Sequence, residues 1–143
     1  MPPRSSRRRL TAFVLASALA GTLACASSRV IVIGTSRAPS TSGYVEVDGT
    51  TDTTTRVTLH LEFLHPVDTL DPSLHAYVVW FENGKNPPVR GGALQYDADK
   101  RKAELKAVSP YRKFVVKVTA EANDKPSAPS DFVVASQDVS TLK

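Results

Sequence analysis

Residues 75–82 constrain the fold most, because apolar residues occupy both alternating faces of this stretch. It reads HAYVVWFE and is followed by Asn83-Gly84, a strong turn signal. A strand at a sheet edge or over open solvent shows one polar face, whereas this one shows none. The pattern therefore predicts the central strand of a β-sheet protein, with Trp80 buried between two sheets.

The chain begins with the three-part pattern of a secretory signal peptide. Four arginines lie within MPPRSSRRR, and the alanine-rich apolar run LTAFVLASALAGTLA follows them. That run, residues 10–24, is shorter than a membrane-spanning helix, although an N-terminal anchor is the alternative. The sequence thus predicts a signal peptide over residues 1–24 and an exported protein.

The single cysteine, Cys25, stands where signal cleavage is expected. Thr22-Leu23-Ala24-Cys25 resembles a bacterial lipobox, in which the cysteine becomes the lipidated first residue. The lipobox prefers an aliphatic residue where this chain has Thr22, and cleavage after Ala26 at an A-x-A-like site is the competing interpretation. We expect a membrane partner through a lipid on Cys25, and a location in the cell envelope, outer-membrane-anchored or periplasmic. Secretion is the alternative.

The charge balance changes once the signal peptide is set aside. The chain has 18 lysines and arginines and 14 acidic residues, and four of the 18 are arginines of the signal peptide, so 14 of each sign remain. Because the net charge is near zero, we do not expect a nucleic-acid partner. Without a disulfide, the mature chain depends on a hydrophobic core, and its length suits one domain.

Residues 56–64 give the clearest strand pattern, because apolar and polar residues alternate strictly. Val57, Leu59, Leu61 and Phe63 share the face that we expect to point inward. Further strands are predicted at 44–48, 75–82, 93–97, 102–108, 114–121 and 132–135, with a short strand at 30–33 as an option.

Turn signals every eight to twelve residues favour an all-β fold, an Ig-like antiparallel β-sandwich of seven to eight strands without a helix. The expected organisation is a signal peptide at 1–24, a tether at 25–43, the sandwich at 44–137 and a polar tail at 138–143.

Four segments in order resemble the extracytoplasmic domain of anti-sigma-K factors. They are YVVWF at 77–81, GGAL at 91–94, FVVKVTAE at 114–121 and PSAPSDFV at 126–133. The family has a Tyr-x-x-Trp strand, a glycine-containing strand start, a strand ending in Thr-x-Glu and a proline-rich turn. Small exported bacterial proteins, often lipoproteins, carry the same domain alone. The likeness covers roughly residues 43–136 and implies a sandwich in an exported setting.

The family's sigma-binding segment has no counterpart among the nine residues before the apolar run, four of which are arginine. The resemblance therefore implies neither anti-sigma activity nor catalytic residues. The sequence also lacks a Gly-x-Ser-x-Gly elbow, a complete calcium loop and a phosphate-binding glycine loop. We expect a non-enzymatic binding or structural module without a cofactor, and a sensory, partner-binding module is the alternative.

Three kinds of candidate site follow from the sequence. Weak metal-ligand candidates are His60, Glu62 and His65, although residues five apart on a strand point to opposite faces and do not chelate one ion easily. Loops at sheet ends suggest a surface for an envelope protein. Its candidate residues are Lys85, Asn86, Arg90, Asp124 and Lys125.

Aromatic residues offer a third candidate site, a stacking platform for a glycan. The aromatics considered are Tyr77, Trp80, Phe81, Tyr96 and Tyr111. Aromatic residues of a sandwich more often fill the core or its rim, so core packing is the default interpretation.

Overall fold

A computed structural model describes residues 27–50 and 53–139. The signal peptide, Cys25 and the last four residues of the tail lie outside the described residues.

Nine strands and one helical turn make up the described part of the chain. The strands are β1 (Ser28–Ile33), β2 (Ser42–Thr50), β3 (Thr55–Glu62), β4 (Ala76–Glu82), β5 (Val89–Ala93), β6 (Gln95–Asp97), β7 (Lys102–Ser109), β8 (Val115–Glu121) and β9 (Val133–Asp138). The turn is α1 (Val67–Leu70), in a connection for which no helix was predicted. No helix in the described ranges is long and apolar enough to cross a bilayer.

The strands form two antiparallel sheets, which confirms the predicted all-β sandwich. The five-stranded sheet has the order β1-β2-β3-β7-β6, and the four-stranded sheet has the order β5-β4-β8-β9. β4 lies inside its sheet, between β5 and β8, as its two apolar faces predicted.

The inward faces of the two sheets form the core. Alternation places Leu59 and Leu61 of β3 opposite Val79 and Phe81 of β4, all of them buried. Phe81 meets Phe114 edge to face, with ring centroids 5.3 Å apart. The sandwich thus has one continuous core of mostly branched and aromatic side chains.

The sandwich begins earlier in the chain than the sequence predicted. Residues 25–43 were expected to be a tether with an optional strand, but β1 pairs with β2 along its whole length. The following loop is also fixed, because the Gly34 N–H donates to Thr41 and the Thr35 N–H donates to Val134 of β9. The alternation of β1 buries Val32, which explains why this segment joins the domain.

Strand β5 was predicted as loop because its sequence is rich in glycine. Residues 93–97 were predicted as one strand, but β5 ends in one sheet, the chain crosses over at Leu94, and β6 belongs to the other. A Cβ at Gly91 would lie 2.9 Å from the Phe81 ring. Glycine is therefore needed inside this strand so that its backbone can approach a core aromatic ring.

Phe63 does not point inward as the alternation predicted. Its side chain is 55% exposed, and Leu64 is fully buried instead. The cause is a left-handed backbone at Phe63, with φ of 58°, which ends β3 and shifts the alternation by one residue.

Trp80 is buried, but not between the two sheets as predicted. Tyr77, Val79 and Phe81 of β4 join the core, so the alternation places Trp80 on the outer face of the four-stranded sheet. It is only 1% exposed there, and its indole N–H donates to Thr119 Oγ1 at 2.9 Å.

A short hydrogen-bond chain continues from Trp80 beneath the β8–β9 connection. The Thr119 hydroxyl donates to Glu121 Oε1, which also accepts the backbone N–H of Ser130 at 2.8 Å. Both Thr119 and Glu121 are buried. The connection thus folds over the outer face and forms a small second core there.

Candidate binding face

The outer face of the five-stranded sheet carries rows of polar, charged and apolar side chains. Register places Ile31, Tyr44, His60, Glu104 and Gln95 in one row across all five strands. A neighbouring row contains Ile33, Ser42, Glu62, Lys102 and Asp97. We call this surface the outer sheet face.

A shallow groove of about 420 Å³ runs over this face between β2 and β6. Its lining includes Tyr44, His60, Glu62, Lys102 and Glu104. This groove is open and several charged side chains line it, so it differs from the enclosed apolar pockets that hold small substrates.

Ion pairs join neighbouring strands within the groove. His60 Nδ1 lies 3.3 Å from Glu104 Oε2, and Lys102 Nζ lies 2.6 Å from Glu62 Oε1. The hydrogen bond and charge of Glu62 raise the pKa of Lys102 above its usual range. Solvent screens exposed pairs of this kind, so they contribute little to stability. Their main effect is to hold alternating charges in fixed positions.

The weak metal candidates do not converge in the structure. His60 faces Glu104 and Glu62 faces Lys102, whereas the His65 ring lies beyond the end of β3 beside Arg101 and Ser40. Across the described residues, no group of three His, Cys, Asp or Glu side chains is placed to hold a metal ion.

Tyr44 is the aromatic ring nearest the middle of the outer sheet face. The Arg29 guanidinium lies 4.1 Å from its ring centroid, and the His60 ring lies 4.6 Å away at a tilt of 36°. Two side chains therefore already contact the Tyr44 ring. A sugar ring that stacks on this aromatic side chain would compete with them for its faces.

Three large apolar side chains are exposed at the β1 side of this sheet and at its far end. Ile31 is 71% exposed and Ile33 is 68% exposed. Ile33 of β1 pairs with Ser42 of β2, which in turn pairs with Glu62 of β3. Phe63 directly follows Glu62, so β2 lies between Phe63 and Ile33. We call Ile31, Ile33 and Phe63 the apolar patch. Clustered exposed apolar side chains mark interaction sites more often than isolated ones do.

The backbone that presents Phe63 is held in place from several directions. Its carbonyl accepts from Arg101 Nη2 at 3.0 Å, and the Leu64 N–H donates to the Arg101 carbonyl at 3.1 Å. The Tyr96 hydroxyl donates to the Leu64 carbonyl at 2.9 Å. A bulky residue with positive φ persists only where its surroundings fix it, and such sites cluster at functional positions.

The predicted partner-binding residues are exposed, but they do not form one surface. Lys85 and Asn86 follow β4 at the end where Glu82 pairs with Val115. Asp124 and Lys125 follow β8 at the other end, where Glu121 pairs with Ala76. The two groups therefore lie about 20 Å apart along the strands.

Arg90 lies between those two groups. It belongs to β5 rather than to a loop, and its guanidinium donates to the Pro126 carbonyl at 2.9 Å. This hydrogen bond ties the strand to the β8–β9 connection, which gives Arg90 a structural role.

The predicted aromatic platform is largely internal. Tyr77, Trp80 and Phe81 are buried, and Tyr96 and Tyr111 are half-buried. Core packing, the default interpretation, is therefore confirmed for the first three residues.

Sequence reasoning missed the apolar patch. Residues 30–33 were predicted only as an optional strand within a tether, and the pairing of β1 at a sheet edge shows that Ile31 and Ile33 face outward.

Compared with models of protein families, with curated proteins and with solved structures, the chain matches none.

Proposed function

We propose that the protein is a non-enzymatic module of the bacterial cell envelope that binds a partner protein through its outer sheet face. The observation that carries this proposal is the apolar patch, which lies beside a groove of alternating charges. Protein interfaces commonly combine an apolar centre with a charged rim that fixes register. On this proposal Ile31, Ile33 and Phe63 form the centre, and the ion pairs of His60 and Lys102 lie at the rim.

A protein partner fits this face better than a glycan does. Arg29 and His60 already contact the Tyr44 ring, and the carboxylates of Glu62 and Glu104 already contact Lys102 and His60 of adjacent strands. Exposed isoleucine side chains offer nothing to sugar hydroxyls, whereas they complement apolar side chains of another protein. A metal- or glycan-binding role is the less favoured alternative.

The finer classification as an Ig-like sandwich is part of this proposal. An Ig-type fold pairs strands A-B-E-D in one sheet and C-F-G in the other. The orders β2-β3-β7-β6 and β5-β4-β8-β9 correspond to that arrangement, with β5 beside C and β1 added before A. This correspondence supports the classification.

The resemblance to anti-sigma-K extracytoplasmic domains supports the fold more than an activity. Trp80, Thr119, Glu121 and Ser130 come from the segments that carry the resemblance, and they form one buried hydrogen-bond chain. The contribution of these four residues to the stability of the fold is enough to explain their spacing, so the spacing does not indicate an activity. A sensory role related to that family is therefore an alternative within the same class of partner-binding modules.

Substitutions in the apolar patch test the binding face. A photo-cross-linker placed at Ile33 in cells should give a discrete adduct with an envelope protein, and Ile31→Ser should reduce its yield about tenfold by removing an apolar contact. Val108, also an exposed residue of this sheet, lies at its other end and serves as the matched control position. Equal adducts from positions 33 and 108, or none from either, would contradict the proposal.

Export and lipidation at Cys25 form the second part of the proposal. The signal pattern of residues 1–24 and the position of the only cysteine support them. A clickable palmitate analogue should label the wild-type chain and place it in the membrane fraction, whereas Cys25→Ala should carry no label. A soluble, unlabelled wild-type chain would replace lipidation with cleavage after Ala26 and secretion.

A further inference from the structure

A basic groove occupies the end of the sandwich at which the described chain begins. It measures about 590 Å³, and its lining includes Lys85, Arg112 and Lys113 together with Asn83 and Tyr111. The other described residues of the lining, Thr53 and Pro110, are uncharged. All the charge on the described part of this lining is therefore positive, and we call Lys85, Arg112 and Lys113 the basic end.

The fold brings these cations together from two separate loops. Glu82, the last residue of β4, pairs with Val115, the first residue of β8. The loop that follows Glu82 and the loop that precedes Val115 therefore leave the sheet side by side. Lys85 lies in the first loop, and Arg112 and Lys113 lie in the second.

The cations of the basic end differ from several others on the surface. Lys100, Lys102 and Lys117 each contact a carboxylate within 3.0 Å. Among the residues that the structure describes, no carboxylate pairs with Lys85, Arg112 or Lys113, and all three residues are exposed to solvent. Three adjacent cations without acidic partners form a surface for an anion.

The opposite end of the sandwich has a different charge character. Its loops contain the acidic residues Asp68, Asp71, Asp99, Asp124 and Asp131. Hydrogen bonds from the Ser73 hydroxyl and N–H lower the pKa of Asp71 there, which keeps that carboxylate ionised. The domain is thus polarised along its strands, with unpaired cations at one end and most loop acids at the other.

The chain enters the domain at the basic end. Ser28 pairs with Val47 near the end of β2, and Thr55, which starts β3, pairs with Ser109 just before the loop that contains Arg112. Only two residues separate Cys25 from Ser28. Even fully extended, they allow a separation of roughly 10 Å between the two Cα atoms.

We propose that the basic end rests on anionic phospholipid headgroups of the membrane to which Cys25 is anchored, a proposal that rests on lipidation of Cys25 in the proposed function. A lipid on Cys25 would hold the start of β1 within roughly 10 Å of the headgroups, close to the Debye length of about 8 Å at physiological salt. Each lysine or arginine near an anionic membrane surface strengthens association about fivefold. The basic end therefore orients the domain as well as binding it.

This orientation has a consequence for the binding face. With the basic end on the membrane, the strands run away from the lipid surface, and the outer sheet face stands to the side. Ile33 and Phe63 then lie at the far end of that face, where a second envelope protein can reach them. An acidic protein at the basic end is the competing occupant, but the short link from Cys25 favours the membrane.

Vesicle binding by an unlipidated chain separates this proposal from the lipid anchor. Every strand and core residue of the described part of the chain lies within 28–139, so a chain of residues 26–143 contains all of them. It should sediment with vesicles of phosphatidylcholine and phosphatidylglycerol, and not with phosphatidylcholine alone, and added salt should release it.

Charge-matched variants identify the surface that binds. Lys85→Gln, Arg112→Gln and Lys113→Gln together should weaken binding to the anionic vesicles about a hundredfold. Arg37→Gln, Lys100→Gln and Lys125→Gln remove the same charge from the opposite end and should leave binding unchanged.

Equal losses in the two triple variants, or no binding by the parent chain to anionic vesicles, would overturn the proposal. Capture of an acidic protein by the basic end without vesicle binding would also overturn it. Failure of palmitate labelling would refute the lipidation of Cys25. It would not decide whether the basic end binds anionic vesicles, because that experiment uses an unlipidated chain.

Discussion

At the scale of single residues, Trp80 shows that full burial does not identify the side of a sheet. Its indole lies on the outer face of the four-stranded sheet and donates to Thr119, which in turn donates to Glu121. The two apolar faces of β4 predicted burial correctly. They could not show that one face would be covered by the opposing sheet and the other by the β8–β9 connection, because both coverings are long-range.

Replacement of Trp80 should destabilise the domain strongly. Trp80→Ala removes a fully buried aromatic and should lower the free energy of unfolding by about 3–5 kcal/mol. Trp80→Phe keeps a ring but loses the donor to Thr119, so a smaller loss of about 1–2 kcal/mol is expected. His60→Ala, which removes a half-exposed ion pair, should change the free energy of unfolding by less than about 1 kcal/mol. Urea unfolding measures all three.

Fluorescence gives an independent check, because Trp80 is the only tryptophan of the chain. Emission from the native protein should be blue-shifted and should move to the red on unfolding. Native emission near that of free indole, with ready quenching by acrylamide, would show that the side chain is exposed and would contradict its burial.

At the scale of elements, the strands with strict alternation were the predictable ones. β3, β7 and β8 lie within one or two residues of their predicted bounds, because a period of two reports directly on a half-buried strand. β1 and β5 were not fully predicted. The positions of these two strands depend on partners elsewhere in the chain. β1 pairs with β2, and Gly91 of β5 packs against Phe81.

The candidate site was harder to predict than the strands. Sequence reasoning placed it on loops at sheet ends, but the strand directions put Lys85 and Lys125 at opposite ends of the molecule. Phe63 was expected inside, because hydrophobic alternation does not report a single residue with positive φ. The separation of these two loops and the exposure of Phe63 depend on strand pairing and backbone conformation, which composition does not report.

The end of β3 offers a test of stored strain. At φ of 58°, Phe63 occupies a conformation that glycine adopts without penalty. Phe63→Gly should therefore raise the free energy of unfolding by about 0.5–1 kcal/mol, after the entropy that glycine adds to the unfolded chain is subtracted. Thermal unfolding measures the gain.

The matched control for this variant is Ile33→Gly. Ile33 is similarly exposed but lies in a regular strand, where glycine should destabilise by roughly the same amount. If Phe63 serves binding, Phe63→Gly should also lower the cross-linking yield from position 33 while the protein becomes more stable. If Phe63→Gly instead lowers the free energy of unfolding, then packing of the Phe63 side chain stabilises the fold by more than the strain of its left-handed backbone destabilises it.

At the scale of the whole molecule, two tyrosines connect the sheets to the chain segment that passes between them. Tyr77 of β4 and Tyr96 of β6 belong to different sheets, and their ring centroids lie 6.0 Å apart. Their hydroxyls donate to the carbonyls of His65 and Leu64 at 2.8 and 2.9 Å. The connection that presents Phe63 is thereby tied to both layers, so the shape of the apolar patch depends on the integrity of the whole sandwich.

This arrangement predicts that the fold weakens in alkali. Burial raises the pKa of Tyr77 well above the ordinary value near 10, and the neighbouring Tyr96 adds to the effect. Above about pH 10 the unfolded chain loses this proton while the folded chain keeps it, so the free energy of unfolding falls as the pH rises, by up to about 1.4 kcal/mol per pH unit. Below about pH 10 the contribution of Tyr77 is fully present.

Tyr77→Phe should be less stable near neutrality by about 1 kcal/mol, because the hydrogen bond to His65 is lost. Its stability should nevertheless decline less steeply between about pH 9 and pH 11 than that of the wild type. Urea midpoints measured across this range compare the two slopes, and parallel slopes would show that the Tyr77 hydroxyl titrates equally in the folded and unfolded chains.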